Sequence, residues 1–164
     1  MDTFEAIQKR VSIRKYQGKP VPRELIEKIV DSGRRAPTAR LVEPWDFIVI
    51  QNKETMLKLS KITPNGGFVK DAPCCIAVIC QDTKYYLEDG CGATENILLS
   101  CADLGLGSCW IAGDKKDYAR EIVEMLKCPE GSKLVSLISI GWPAEEKKQF
   151  RNRQLKDVIH WEEF

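Results

Sequence analysis

One stretch near the middle of the chain restricts the possible folds more than any other feature. After its first residue, the segment 89–104 contains only two charged side chains, Glu95 and Asp103, among mainly small and aliphatic residues. A helix that is apolar on most of its surface must be buried on most of its surface. In a chain of 164 residues, this predicts a central helix or a helix shared with a second subunit. Gly105 and Gly107 follow the segment and are expected to end the helix.

Four further apolar stretches have the composition of buried strands. They cover residues 46–51, 75–80, 108–111 and 134–142. They alternate with segments of helical periodicity, and no linker or repeat divides the chain. The pattern predicts a single α+β domain over 1–164, built in two or three layers on a mixed sheet.

The N-terminal segment predicts a first amphipathic helix. Asp2 and Glu5 have the spacing of a capping box at its start. Phe4, Ile7 and Val11 fall on one face of the helix, and we expect them to lie in the core.

A second helix is predicted after Pro22, which suits the first helical position. Arg34 and Arg35 near its end should remain exposed, and its buried stripe should consist of Leu25, Ile26, Ile29 and Val30. Helices are also expected after Asn52 and over 117–127.

Composition argues against several classes of function. The formal net charge is +1, so no overall field attracts nucleic acid or an anionic membrane. No apolar run reaches the roughly 18 residues that a membrane-spanning helix needs. The first ten residues, MDTFEAIQKR, lack the apolar core of a signal peptide. We therefore expect a cytoplasmic protein.

Metal and disulfide chemistry are not predicted. The chain has seven cysteines without a C-x-x-C pair, and His160 is its one histidine, so the spacings of zinc and iron–sulfur sites are absent. The cysteines lie mostly in apolar stretches such as CCIAVIC, and we expect them to be reduced core residues. His160 is expected to be a tail residue without a catalytic role.

A basic motif at the end of the first helix indicates an anion site. Arg10, Ser12 and Arg14 alternate with two aliphatic residues, which in an extended segment places two guanidinium groups and a hydroxyl on one face. Such donors suit a phosphate monoester. The spacing alone favours a solvated basic helix end, because cations near a helix C-terminus are favourable there.

Two later motifs change the interpretation of this one. APTARLVEPWDF follows at 36–47, and GLGSCWIAG follows at 105–113. In this order and spacing the three motifs resemble those of the FMN-dependent nitroreductase family, and the resemblance extends from about Phe4 to Trp161. It implies a mixed sheet flanked by helices, and an interlocked homodimer that holds FMN at the subunit interface and wraps its C-terminal tail around the partner.

The resemblance also implies which residues contact the flavin. Arg10 and Ser12, with Val11 between them, correspond to the phosphate site, and Arg14 to the basic residue beside the pyrimidine edge and ribityl chain. The other implied positions are Pro37, Thr38, Ala39 and Leu41 in a loop that reaches the ring from the partner subunit, Asn65 as a polar ring contact, Trp110, Ile111, Ala112 and Gly113 along the isoalloxazine, and Arg151 and Arg153 as a basic pair that closes on the phosphate.

Three positions depart from the family pattern. Leu41 stands where the family usually has Asn, so it cannot donate to the flavin. Glu43 replaces the usual Gln and adds a negative charge. Ala112 lacks the carboxylate that the family often has there, a loss that matters little if the backbone N–H bonds flavin N5. The departures suggest an altered acceptor preference.

The implied reaction passes a hydride from NAD(P)H through flavin N5 to a small acceptor of the nitroaromatic, quinone or enone class, by a ping-pong mechanism. Arg14 would stabilise the negative charge of reduced flavin. The flavin carries the chemistry, so no catalytic side chain is assigned. A flavin store or sensor without turnover is a second reading, and a phosphate-binding module without flavin is a third. The acceptor and the choice between NADH and NADPH stay open.

Overall fold

A computed structural model describes all 164 residues. Five α-helices and four strands follow one another as α1 (Thr3–Lys9), α2 (Arg23–Gly33), β1 (Trp45–Ile50), α3 (Lys53–Ile62), β2 (Cys74–Cys80), α4 (Tyr86–Asp103), β3 (Gly107–Ala112), α5 (Ala119–Met125) and β4 (Lys133–Gly141). Three short 3-10 turns cover Ala39–Leu41, Gly67–Asp71 and Leu155–Asp157. None of the helices combines the length and apolar character needed to cross a bilayer.

The four strands form one sheet in the order β1-β2-β4-β3. All three neighbouring pairs are antiparallel. The predicted α+β class is confirmed, but the parallel component of the predicted mixed sheet is reduced to an isolated bridge between Ser12 and Ser108. The reason is that the segment after α1 runs beside β3 for only one pairing and does not become a strand.

Helices cover both faces of the sheet. Alternate residues of β2 show this directly, because Ile76 and Val78 pack with α2 and α4, whereas Ala77 and Ile79 pack with α3 and α5. A strand with successive side chains on opposite faces needs apolar residues throughout when both faces are covered. The continuous apolar run CCIAVIC meets this requirement, and every residue of β2 is buried.

Helix α4 is the central helix that the sequence predicted. It contacts all four strands as well as α1 and α2. Gly90 allows this close approach, because a Cβ atom there would lie 2.6 Å from Val135 Cγ2. Further along the helix, the hydroxyls of Thr94 and Ser136 are hydrogen-bonded at 2.8 Å.

The expectation for the apolar face of α1 is wrong within a single chain. Asp2 caps the helix by accepting from the Glu5 N–H at 2.8 Å, as predicted. Phe4 and Ile7, however, are 79% and 46% exposed. The third residue of this face, Val11, is half-buried, so the prediction of a core position fails for Phe4 and Ile7. The C-terminal tail is similar, with Trp161 84% exposed.

The cysteines pack as predicted. Five of the seven are buried, and the other two are half-buried. Burial raises the pKa of Cys74, Cys80 and Cys101 to about 12, which keeps these thiols neutral. Cys74 and Cys80 belong to β2 and Cys101 to α4, so they fill the interface between the sheet and the central helix.

Candidate active site

The segment after α1 is extended, as its alternating residues predicted. Arg10 caps the helix in a non-helical conformation, with φ −56° and ψ 120°. The Ile13 N–H then donates to the Ser108 carbonyl of β3 at 3.0 Å. Ile13 is buried against Gly107, where a Cβ atom would lie 2.7 Å from the isoleucine. Burial of this aliphatic side chain fixes the segment beside β3.

Strand β3 leaves one backbone edge open. It is the last strand in the sheet order, and the carbonyl of Ser108 points away from β4 toward Ile13. In an antiparallel strand, the N–H and C=O groups of every second residue point to the same side. The Trp110 and Ala112 amides therefore also face outward. The Tyr118 hydroxyl, which donates to the Ala112 carbonyl, lies on this side.

A cavity of about 160 Å³, here called the edge cavity, lies against this open edge. It brings together predicted residues from three distant parts of the sequence, namely Arg14, Asn65 and 110–112. The Arg14 guanidinium lies 5.6 Å from the centre of the Phe68 ring. The remaining lining residues are Cys109, Lys116 and Tyr118.

A second cavity of about 490 Å³, here called the basic cavity, is lined by the beginning of the segment. Its lining includes Arg10 and Val11, together with the basic residues Lys9, Lys147 and Lys148 and the acidic residues Glu145 and Glu146. Ser12 lines neither cavity, and its side chain lies beside the Cys109 thiol. Burial raises the pKa of Cys109, and the nearby Arg14 and Ser12 oppose this rise.

The two arginines of the motif have no acidic partner in the chain. Arg10 and Arg14 are absent from all nine ion pairs of the structure. By contrast, Arg34 and Arg35 both bind Asp31, at 2.6 and 2.7 Å. Uncommitted guanidinium groups beside a cavity are suited to bind an anionic ligand.

Residues 145–149, which the sequence motifs did not include, support the segment that carries Arg10 and Arg14. Glu145 accepts from the Arg14 N–H at 2.8 Å and from the Lys15 N–H at 3.2 Å. Lys147 pairs with Glu145 at 2.9 Å, and Gln149 donates to the carbonyls of Ile7, at 2.7 Å, and Arg10. The available signal was the i, i+2, i+4 spacing of these three polar residues in EEKKQ, which is typical of an extended segment.

Comparison with known proteins agrees with this geometry. The family model described as "Putative TM nitroreductase" matches residues 2–164. A "Putative NADH dehydrogenase/NAD(P)H nitroreductase" of Methanothermobacter thermautotrophicus is 40% identical over 88% of this chain and 79% of its own length. A relative with the same description from Archaeoglobus fulgidus is 33% identical over 99% of both chains.

The chain belongs to the nitroreductase family. Among solved structures, an "FMN-dependent Nitroreductase" of Clostridium difficile superposes with a TM-score of 0.92 at 34% identity, covering 98% of this chain and 99% of the other. The NADPH:FMN oxidoreductase of Vibrio harveyi, solved with NAD⁺, shares the fold at 21% identity and a TM-score of 0.89, covering 99% of this chain and 77% of the other.

The predicted partner-facing loop of this nitroreductase lies far from the edge cavity. It leads into β1, which forms the opposite edge of the sheet from β3. Three strand spacings separate these edges, about 14 Å. Thr38 and Ala39 bind Asp89 instead, and Leu41 is 86% exposed. Pro37 is exposed as well. A single nitroreductase chain therefore contains two separated halves of the predicted site.

Four predicted residues offer neither a free backbone donor nor a polar side chain to either cavity. Ile111 is buried, with its backbone directed to β4. The Gly113 N–H donates to the Val135 carbonyl at 3.1 Å, and a Cβ atom at Gly113 would lie 2.5 Å from Leu134. Arg151 and Arg153 are exposed in the tail and donate only to the nearby carbonyls of Phe150 and Asp157.

The structure also adds residues that the motifs did not indicate. Phe68, Lys116 and Tyr118 form the outer wall of the edge cavity. Tyr118 lies in the segment predicted as a helix over 117–127, and no motif indicated that its hydroxyl would reach the Ala112 carbonyl. His160 lies in the tail, stacked on Phe164 at 4.2 Å, and lines neither cavity.

Glu145 generates a prediction about acid stability. The two backbone N–H groups and Lys147 lower the pKa of Glu145 from 4.5 to about 2. Because the folded pKa is depressed, this carboxylate stabilises the folded state above about pH 4.5, and its contribution disappears as the pH falls toward 2. Glu145→Gln should therefore be less stable than wild type in urea unfolding at pH 7, and the difference should shrink at pH 3.

The matched control is Glu146→Gln, which removes the same charge from an exposed neighbour without a hydrogen bond in the chain. It should unfold like wild type at both pH values. Equal stability of Glu145→Gln and wild type at pH 7 would contradict the assigned support of Arg14.

Proposed function

We propose that this protein is an FMN-dependent oxidoreductase that takes electrons from NAD(P)H and passes them to a small acceptor of the nitroaromatic, quinone or enone class. The observation that carries the proposal is the arrangement along β3. Uncommitted cations at Arg10 and Arg14 flank an open backbone edge whose amide donors and cavity suit a long, anionic, planar ligand. The FMN-dependent relative from Clostridium difficile supports the choice of FMN as that ligand.

The donor set of this chain fits FMN. At one end, Arg10 supplies an unpaired charge and Ser12 a hydroxyl for a phosphate, while Lys147 lies nearby in its ion pair with Glu145. At the other end, the outward amide of Ala112 is available to an acceptor atom such as flavin N5, and Asn65 adds a side-chain amide. When bound, FMN supplies a ring that accepts and releases hydride, which no side chain can do.

The chain's own residues then have distinct tasks. Arg14 holds a positive charge at the cavity, which stabilises negative charge on a reduced ring. Tyr118 keeps the Ala112 peptide in one orientation by donating to its carbonyl. Phe68 and Tyr118 contribute aromatic surface that limits water in the cavity. None of these tasks needs a nucleophile or a dedicated acid.

The separation of the two half-sites leads us to propose an interlocked homodimer. The loop over 37–41 cannot reach the edge cavity of its own chain, whereas in a two-fold dimer each loop can meet the other chain's cavity. The same assembly would cover the exposed apolar side chains at both ends of the chain, which are Phe4, Ile7, Phe150, Leu155, Val158, Ile159, Trp161 and Phe164.

We expect light scattering of the flavin-loaded protein to give the mass of two 18.6 kDa chains at micromolar concentration. Exposed apolar residues at both termini make a persistent monomer unfavourable. A stable monomer that retains FMN would contradict the two-chain site.

Replacing either arginine of the motif should loosen the cofactor. Arg10→Ala and Arg14→Ala each remove one charge-assisted contact, which is worth roughly 1.5 to 3 kcal/mol, or about one to two decades in the FMN dissociation constant. Arg34→Ala is the matched control, because Arg34 binds Asp31 on an exposed helix end and should leave FMN affinity unchanged. Titration with FMN fluorescence measures all three, and equal affinities would disprove the anion site.

Anaerobic reduction and steady-state kinetics test the function itself. NADH or NADPH should bleach the yellow protein, and double-reciprocal plots at several acceptor concentrations should give parallel lines. The physical reason is that a chain of 164 residues has no second nucleotide-binding domain, so the donor and the acceptor must occupy the same space over the flavin in turn. Intersecting lines would contradict the shared cavity. A yellow protein that neither nucleotide bleaches would instead be the flavin store or sensor.

A further inference from the structure

The loop over 37–43 has a backbone shape that its own residues disfavour. Arg40, Leu41 and Glu43 have φ values of 59°, 56° and 48°. This left-handed region is unfavourable for residues with a Cβ atom, and three such residues within four positions are rare. A strained shape of this kind persists only where surrounding contacts hold it.

Those contacts come from one carboxylate, Asp89 in the first turn of α4. The Thr38 hydroxyl donates to Asp89 Oδ2 at 2.8 Å, and the Ala39 N–H donates to Oδ1 at 3.2 Å. The Thr38 oxygen in turn accepts from the Glu43 N–H at 3.0 Å. A short hydrogen-bond chain thus runs from Asp89 through Thr38 to Glu43 and spans the three strained residues.

Asp89 has no other use in the chain that would explain its burial. It is 6% exposed and takes part in none of the nine ion pairs. Burying a carboxylate destabilises the folded state unless hydrogen-bond donors bind its oxygens. The loop supplies two donors, and the N-terminal end of α4 favours a negative charge. The carboxylate and the loop therefore stabilise each other.

We propose that Asp89 is the positioning residue that holds the 37–43 loop in the conformation in which it packs on the flavin of the partner subunit. The inference rests on the proposed function, because it takes the loop to be part of the flavin site. Asp89 itself touches neither flavin nor acceptor. It keeps most molecules in the loop conformation that can bind FMN, so that FMN binding does not have to order the loop.

Asp89→Ala tests this in the full-length protein. The FMN dissociation constant should rise about tenfold, as expected when a buried charged acceptor is lost and the competent loop becomes a minor state. Amide hydrogen exchange of the flavin-free protein should accelerate at 38–43. Asp89→Asn keeps one acceptor oxygen and should give an intermediate change in both measurements.

Glu88→Ala is the matched control. Glu88 also belongs to the first turn of α4, but it is exposed and forms no hydrogen bond with the loop. Its removal should leave FMN affinity and loop exchange at wild-type values.

A double-mutant cycle separates positioning from general stability. Thr38→Val removes the hydroxyl that donates to Asp89, so its effect on FMN affinity should not add to that of Asp89→Ala, which removes the acceptor of the same hydrogen bond. Additive effects on FMN affinity would overturn the proposal. It would also be overturned if Asp89→Ala lowered the unfolding free energy but left loop exchange and FMN affinity at wild-type values. If Asp89→Ala does not fold, the loop exchange and FMN affinity of the single variants Asp89→Asn and Thr38→Val decide.

The exchange measurement needs no cofactor. Failure of the wild-type chain to bind FMN would overturn the proposed function and the flavin role of the loop, whereas unchanged exchange in Asp89→Asn and Thr38→Val would overturn the anchoring by Asp89 even in a protein that binds FMN.

Discussion

Burial of α4 against the sheet is the interaction on which the other features of the molecule depend. The helix lies close enough to the strands that a Cβ atom at Gly90 would overlap Val135. Its first turn carries Asp89, which holds the 37–43 loop. The chain enters β3 directly after the last turn of α4, where the Leu106 N–H donates to the Cys101 carbonyl at 2.8 Å. This one apolar helix therefore sets the positions of both halves of the predicted site, the 37–43 loop and the edge of β3.

The candidate site on β3 uses an exposed sheet edge, a feature that most sheet proteins cover or shorten. An edge strand presents unpaired N–H and C=O groups, which invite unwanted pairing. Here the segment 10–14 covers the beginning of the edge, and Tyr118 binds the Ala112 carbonyl near its end. The amides that remain are the ones we propose for the cofactor. The segment 145–149 holds the covering segment in place through Glu145 and Gln149, so the cationic motif is supported without contributing its own side chains to that support.

The three departures from the family pattern share a structural property. Leu41 is 86% exposed, and Glu43 and Ala112 are also exposed. None of them contributes to the core, so substitutions there alter the surface offered to a ligand and leave the fold intact.

Local patterns in the sequence determined much of the fold and part of the site. The apolar segment 89–104 became the central helix, CCIAVIC became a strand buried on both faces, and the alternation of Arg10, Ser12 and Arg14 became an extended cationic segment. These features depend on periodicity and burial, which nearby residues specify. Tertiary structure alone decided that Arg14, Asn65 and 110–112 meet in one cavity, that Asp89 binds the distant loop, and that Glu145 supports Arg14. Such contacts join residues far apart in the chain, and only the packing of helices on the sheet determines which of them become neighbours.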